Sequence, residues 1–308
     1  MRLGIDLGGT KTEAALVECG AEGPIRALRR VRVPTPRDQG YEAILRNTAE
    51  LIREHARQAG DPATIPIGVG MPGGVRRHDG TVKNSNTTCL NGRPFRRDLQ
   101  QLLGRQVLFD NDANCFALAE TLMGAGRPHR EGVVFGVILG TGVGGGWVIG
   151  GKLWSGLHGI AGEWGHHELY AGDDPSGHPA RACYCGRRGC LETYASGPAV
   201  EREYASRTAQ RLSLAELAVR ASADAHAAAC LEQLFEAVGR GLATIINIMD
   251  PSMIVLGGGV SNLDALYEQV RDRVQAHLFN DELLTPIVRN ELGDSAGVLG
   301  AALLGYSP

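Results

Sequence analysis

Two stretches of this sequence repeat one pattern. LGIDLGGTKTEAALV (residues 3–17) and GVVFGVILGTGVGGGWVIGGKL (residues 132–153) each read as an apolar strand, a glycine-rich turn and a second apolar strand. A chain that does this twice is expected to build two similar α/β halves. The intervening segments agree. Tyr41, Ile44, Leu45, Thr48, Leu51, Ile52 and His55 fall at helical spacing over 41–56. IPIGVGMPGGV (65–75) reads as a buried strand ending in a Pro/Gly turn, and VLFDNDANCFALAE as a strand at 106–109, a polar turn and a helix after Asp112. A long helix is expected from about 227 to 249, stopped by Asp250-Pro251, then the strand of MIVLGGG (253–259) and a small-residue helix in GDSAGVLGAALLGY. Strands alternating with helices give an α/β class.

The chain has 308 residues, 43% apolar and 21% charged, enough for one large domain or two smaller ones. A net charge of −3 offers no field for nucleic acid or an anionic membrane. The first strand starts at residue 2 or 3 with no basic and apolar leader before it, and no apolar run reaches spanning length. The expectation is a cytoplasmic protein without membrane or nucleic-acid partners.

Glycine lets backbone N–H groups approach an anion unobstructed. The turns containing Gly8, Gly9, Thr10 and Lys11, and Gly140, Thr141, Gly142, Gly144 and Gly145, could hold a polyphosphate or be plain hairpins. Gly140, Gly142 and Gly145 also match G-x-G-x-x-G, but a dinucleotide fingerprint needs a helix next, and WVIGGKL reads as a strand. In FDNDANC, Asp110, Asn111 and Asp112 are candidate acid–base groups, and Asp112 is equally a helix cap. Asp6, ending the first strand, is either a turn aspartate or a group that orients a Mg²⁺–phosphate unit. Gly257 and Gly258 end a strand where an adenine could lie against backbone, or form an ordinary αβ turn.

Cys183, Cys185 and Cys190 sit in CYCGRRGCLE. A reducing compartment and an odd total of seven cysteines argue against a disulfide framework, and no redox C-x-x-C is present here. Three thiols separated by glycines suit a zinc turn that lacks one ligand. His166 and His167 precede the polar loop 171–182, and His178 lies inside it.

GIDLGGTK, DNDANC, GTGVGGG, GEWGH, CYCGRRGCLE and DPSMIVLGGG, in that order across the chain, resemble the ROK family of sugar kinases. PTPRD (34–38), VKNSNTTCLNGRPF (82–95) and GDSAGVLGAA (293–302) are most similar to its bacterial fructokinase, or manno(fructo)kinase, branch. The resemblance implies two RNase H-like, actin/hexokinase-type domains around a central cleft. The expected division is 1–116 plus 296–308 against 117–295, the latter with the zinc segment and nucleotide site. It implies ATP with Mg²⁺, a structural Zn²⁺ and a homodimer. Asp112 becomes the general base and Asn111 holds a neighbouring hydroxyl. Asp6, Gly8, Gly9, Thr10, Lys11, the 140–145 turn, Gly257 and Gly258 form the ATP site. His166 completes the zinc ligands and also lies against the sugar. Glu163, three residues before it, and Glu192, two after Cys190, accept hydrogen bonds from sugar hydroxyls. Asn84, Asn86 and Asn91 either help to choose the sugar or are turn residues, and Gly73 and Gly74 would give the close backbone approach a sugar needs.

The expected reaction is phosphorylation of a hexose at its 6-hydroxyl, D-fructose to D-fructose 6-phosphate. Kinases for N-acetylglucosamine, glucose or mannose are the near alternatives. A sugar-sensing transcription regulator is the alternative of another class, disfavoured because no helix-turn-helix precedes the first strand and GIDLGGTK and Asp112 are intact.

Overall fold

The computed structural model describes residues 1–20, 25–60, 64–76, 78–173, 177 and 179–307. In chain order the elements are β1 (Arg2–Leu7), β2 (Lys11–Glu18), β3 (Arg26–Pro34), α1 (Tyr41–Gln58), β4 (Ile67–Met71), β5 (Gly74–Val75), β6 (Val82–Lys83), α2 (Phe95–Leu103), β7 (Leu108–Asn111) and α3 (Asp112–Leu122). They continue with β8 (Val133–Leu139), β9 (Val143–Ile149), β10 (Lys152–Trp154), α4 (Glu192–Ala195), α5 (Gly197–Thr208), α6 (Leu214–Arg220), α7 (Ala225–Met249), β11 (Met253–Gly257), α8 (Asp264–Ala276), β12 (Ile287–Arg289) and α9 (Ala296–Leu303).

The repeated sequence pattern becomes a repeated topology. One sheet runs β3-β2-β1-β4-β7 and the other β10-β9-β8-β11-β12. In the first, β1 is antiparallel to β2 and parallel to β4, which is parallel to β7. In the second, β8 and β11 are parallel, as are β11 and β12, while β9 and β10 are antiparallel. The expected strand–turn–strand of 132–153 gains a second turn at Gly150 and Gly151, both at positive φ, and a third strand.

Strand alternation assigns the faces of the first sheet. Leu3, Ile5 and Leu7 enter a core with Ile44, Ile52, Phe95 and Leu99. Gly4 and Gly68 face α9 instead, where an added Cβ would lie 2.1 Å from the Val298 carbonyl oxygen and 1.9 Å from that of Ala301. Gly300 of α9 meets the Cys115 carbonyl of α3 equally closely, 1.7 Å from an added Cβ. Helix α9 therefore rests backbone to backbone on sheet and helix, which only small residues permit.

The contacts divide the chain into Met1–Glu131, Gly146–Ala161 and Glu291–Pro308 as one unit, and Gly132–Gly145 with Gly162–Asn290 as the other. This differs from the boundaries expected after residues 116 and 295. Helix α3 runs unbroken through 116, and Glu120 binds the later segment. Its carboxylate accepts N–H groups of Ala125 (3.0 Å), Glu291 (3.1 Å) and Leu292 (2.9 Å). Among the described residues, no helix is long and apolar enough to cross a membrane.

Candidate active site

Strand β1 delivers Asp6 to the rim of its sheet, where Gly8 N–H donates to Lys11 O at 3.0 Å and closes the first glycine turn. Thr35 braces that turn from behind, its hydroxyl donating to Gly8 O at 2.8 Å. Asp6 lies opposite Glu13 in the β1–β2 register, and Glu13 opposite Arg32 in β2–β3. Arg32 Nε donates to Glu13 Oε2 at 2.5 Å. Burial, then the negative charge of Asp112 and that of Glu13, pushes the Asp6 carboxyl up to about 7, against the pull of Lys11 and Arg32. Asp6 thus lies within electrostatic reach of Asp112.

Strand β7 extends two residues beyond its expected end, through Asp110 and Asn111. Asn111 is the cap of α3: its Oδ1 accepts the Asn114 N–H at 2.7 Å. Asp112 is the first helical residue and is exposed, with Oδ1 accepting the Ala113 N–H at 2.9 Å. The cap reading of Asp112 therefore passes to its neighbour. Asp110 is tied inward, accepting from Asn114 Nδ2 (2.6 Å), Asn111 N (2.9 Å) and Ser155 Oγ (3.4 Å). Burial still raises its carboxyl, although these donors oppose the shift.

In the same unit, Gly73 has φ +84, and a Cβ there would lie 2.4 Å from Lys83 O and 2.7 Å from Ser85 N. Packing of the small β5–β6 sheet thus accounts for this glycine. Asn84 adopts φ 55, and Asn84 and Asn86 are both exposed. The Asn91 amide is spent on Ser85, with both bonds at 2.9 Å. Lys11 and Thr10 are exposed.

In the other unit, the 140–145 turn leads into β9, so the helix a dinucleotide fingerprint needs is absent. Gly140 N–H donates to Gly142 O, and Gly140 O accepts from Gly197 at the start of α5, both at 2.9 Å. Glu192 Oε2 accepts the Val143 N–H at 2.9 Å, a partnership with nothing in local sequence to announce it. Gly142 is required here: a Cβ would stand 2.7 Å from that oxygen. Gly258, at φ +87, presses against Leu139 O, at 2.4 Å from an added Cβ, which aligns the ends of β8 and β11.

The cysteines meet His166 because two segments pair. Glu168 bridges Cys190 in antiparallel fashion, Leu169 N–H donates to Gly189 O at 2.7 Å and Leu191 N–H to His167 O at 3.1 Å. Cys183 N–H donates to Arg187 O at 2.8 Å, folding the loop so that Cys183 and Cys185 turn back. Arg181 ties its base to Thr193 O (2.9 Å) and Glu203 (2.7 Å). The ligand atoms of His166, Cys183, Cys185 and Cys190 all lie within 4.8 Å of one another. Cys185 and Cys190 sulfurs are 3.6 Å apart, and Cys183 Sγ is 3.6 Å from His166 Nδ1. These are free thiols, far beyond disulfide length, at about the spacing that tetrahedral Zn–S bonds of ~2.3 Å impose. The histidine that joins the three thiols is His166 and not His167, whose Nδ1 meets the Trp164 carbonyl, and His178 lies outside the described residues. Glu163 is exposed at the start of the turn that carries His166.

The ROK family model matches residues 2–307. The chain belongs to the ROK family. It is 39% identical over 311 residues to an N-acetylgalactosamine kinase of Shewanella sp., covering 99% of this chain and 97% of that one. It is 36% identical over 314 residues to an N-acetyl-D-glucosamine kinase of Yersinia enterocolitica, covering 100% of both. A ROK hexokinase of Thermus thermophilus superposes with TM-score 0.84 at 35% identity, covering 98% and 96% of the two chains. A ROK glucokinase of Streptomyces griseus, solved with glucose and AMPPNP, gives TM-score 0.74 at 30% identity over 98% of each. The chain is thus a ROK sugar kinase of two actin/hexokinase-type α/β domains. The two curated relatives are N-acetylhexosamine kinases and not members of the fructokinase branch towards which the sequence leaned. One of the segments behind that leaning, 293–302, covers most of α9, whose small residues answer to packing on β1, β4 and α3 rather than to a sugar.

Proposed function

We propose that this ROK chain phosphorylates an N-acetylhexosamine, N-acetylglucosamine foremost, at its 6-hydroxyl with ATP. The end-to-end identity with N-acetylglucosamine and N-acetylgalactosamine kinases carries this reading. Asp112, exposed at the start of α3, takes the proton of the attacking hydroxyl. Asn111 spends its Oδ1 on the cap and keeps its Nδ2 for a second hydroxyl. Asp6, with the backbone N–H groups of Gly9 and Thr10 and the Lys11 ammonium, orients the phosphate end of the nucleotide at the turn that Gly8 closes. The 140–145 turn, Gly257 and Gly258 receive its remainder. Bound Mg²⁺ supplies charge neutralisation on the phosphates. Glu163 and Glu192 accept hydroxyls of the sugar, assisted by Gly73, Gly74, Asn84 and Asn86. Glu192 does so while its other oxygen holds Val143, so one side chain serves both turn and sugar.

The donor set of His166, Cys183, Cys185 and Cys190 fits Zn²⁺, which would complete a closed, structural site. Its residues would then fix Glu163 and Glu192 at the two ends of one knot.

An ADP-release assay across N-acetylglucosamine, N-acetylgalactosamine, N-acetylmannosamine, glucose, mannose and fructose tests the reading. The expected result is the highest kcat/KM on an N-acetylhexosamine. A clear preference for fructose would restore the fructokinase assignment and overturn this one.

A further inference from the structure

A groove of about 410 Å³ lies between the last two turns of α1 and the end of α2. None of the residues assigned above to sugar, nucleotide or metal lines it. Ile52 and Ala56 of α1 and Leu103 of α2 supply its apolar surface, and Arg53, Arg57 and Arg105 its charge. The local sequence explains the convergence. Arg53 and Arg57 are four residues apart, so they are neighbours on one face of the helix. Helix α2 stops at Gly104, φ 68, whose N–H returns to Gln100 O and Gln101 O, and the reversal brings Arg105 to the groove that Leu103 lines. Arg53 Nη2 donates to Leu102 O at 2.5 Å and Arg105 to Ile65 O, which anchors two of the guanidiniums. Arg57 Nε donates to Arg53 O at 3.2 Å. Arg29 of β3, bonded to Gln58 Oε1 at 2.7 Å, adds positive charge at the same end of α1.

Like charges four residues apart on a helix repel. Carboxylates could relieve this, and Glu50 and Glu54 are exposed on the same helix, yet neither Arg53 nor Arg57 forms an ion pair among the described residues. A guanidinium carries five N–H donors, and the recorded side-chain bonds of Arg53 and Arg57 use one each. We infer that this groove is a binding site for a small phosphate monoester. The planar forks of the arginines take the phosphate oxygens in pairs, and a dianion with three terminal oxygens can engage more than one fork, which a carboxylate cannot do as fully. The carbon skeleton of the ester then lies on Ile52, Ala56 and Leu103. A volume of this size is that of a small-molecule site. A sugar kinase releases a phosphate monoester as its own product, and esters of other origin share the same chemistry.

Calorimetric titrations test this with the active site already filled by AMPPNP and whichever sugar the ADP-release assay selects, so that the outcome does not depend on the sugar assignment. The probes are inorganic phosphate, phenyl phosphate and the 6-phosphate of that sugar. Wild type is expected to bind one equivalent of at least one ester, more tightly than inorganic phosphate. Tighter binding of the sugar phosphate would identify the product as the ligand, and tighter binding of phenyl phosphate an ester of other origin. Arg57→Gln should weaken ester binding by roughly ten- to a hundredfold, the loss of a charge-assisted hydrogen bond. Arg57→Lys, which keeps the charge without the fork, should fall between the two. Arg57 is exposed and outside the phosphoryl-transfer site, so kcat without added ester should stay at the wild-type value and report an intact fold. Absence of ester binding in wild type would overturn the site. Equal affinity in wild type and Arg57→Gln would overturn its location, and inorganic phosphate bound as tightly as both esters would overturn the part given to the apolar surface.

Discussion

Asp6 and Asp112 differ in environment. Asp112 is exposed and begins a helix, whereas Asp6 is partly buried beside it and its carboxyl titrates at about 7 instead of its ordinary 3.8. A raised carboxyl means that the folded chain binds more protons than the unfolded one between these values. Stability should therefore fall as pH climbs from about 4 to about 7 and level off above. Asp110, also raised by burial, acts in the same sense. Thermal melts of the nucleotide-free protein from pH 4.5 to 8 check this, and Asp6→Asn should flatten the profile. At Asp112 the expected effect is on rate: Asp112→Asn should cut kcat by roughly 10²–10⁴, with sugar affinity by calorimetry unchanged. Full activity in that variant would remove Asp112 as the base. The candidate itself was legible in DNDANC, but its local role was not. The shift of the cap to Asn111 follows from β7 running two residues further than its apolar pattern, which ends at Phe109, suggests.

At the scale of elements, the glycine turns are held by partners far away in sequence. Glu192, at the head of α4, holds the 140–145 turn through Val143, whereas Glu163 makes no recorded bond to that turn among the described residues. Glu192→Ala should thus raise KM for both sugar and ATP, each by roughly ten- to a hundredfold, the worth of a charged hydrogen bond of ~1.5–3 kcal/mol. Glu163→Ala should raise KM for the sugar alone. An unchanged KM for ATP in Glu192→Ala would disconnect the carboxylate from the turn. Periodicity and turn chemistry exposed the turns and the cysteine knot, because those signals are local. The Glu192–Val143 bond was hidden because a side chain's distant partner leaves no mark on spacing.

Across the whole molecule, the repeat visible in 3–17 and 132–153 led to two similar α/β halves, and the two five-stranded sheets share one strand order. The division by contacts differs from the expected boundaries because backbone-to-backbone packing, which decides where α9 and α3 belong, depends on which glycines face each other in space. The chain's two ends are joined: Arg2 Nε donates to Ala302 O at 2.6 Å, and α9 covers Gly4. Removing residues 291–308 should therefore unfold the first unit rather than trim it, read as rapid limited proteolysis of 1–131 and loss of its helical circular dichroism. A truncated protein with that segment still protected would show α9 to be dispensable.

The three-segment make-up of the first unit also sets a timetable. Synthesis runs from the amino terminus, so every residue of the second unit has been made before the ribosome reaches α9. The Asp6 face waits, with its glycines uncovered, until the last helix emerges. A nascent chain would thus hold all of the cysteine loop before α9 is there to cover Gly4.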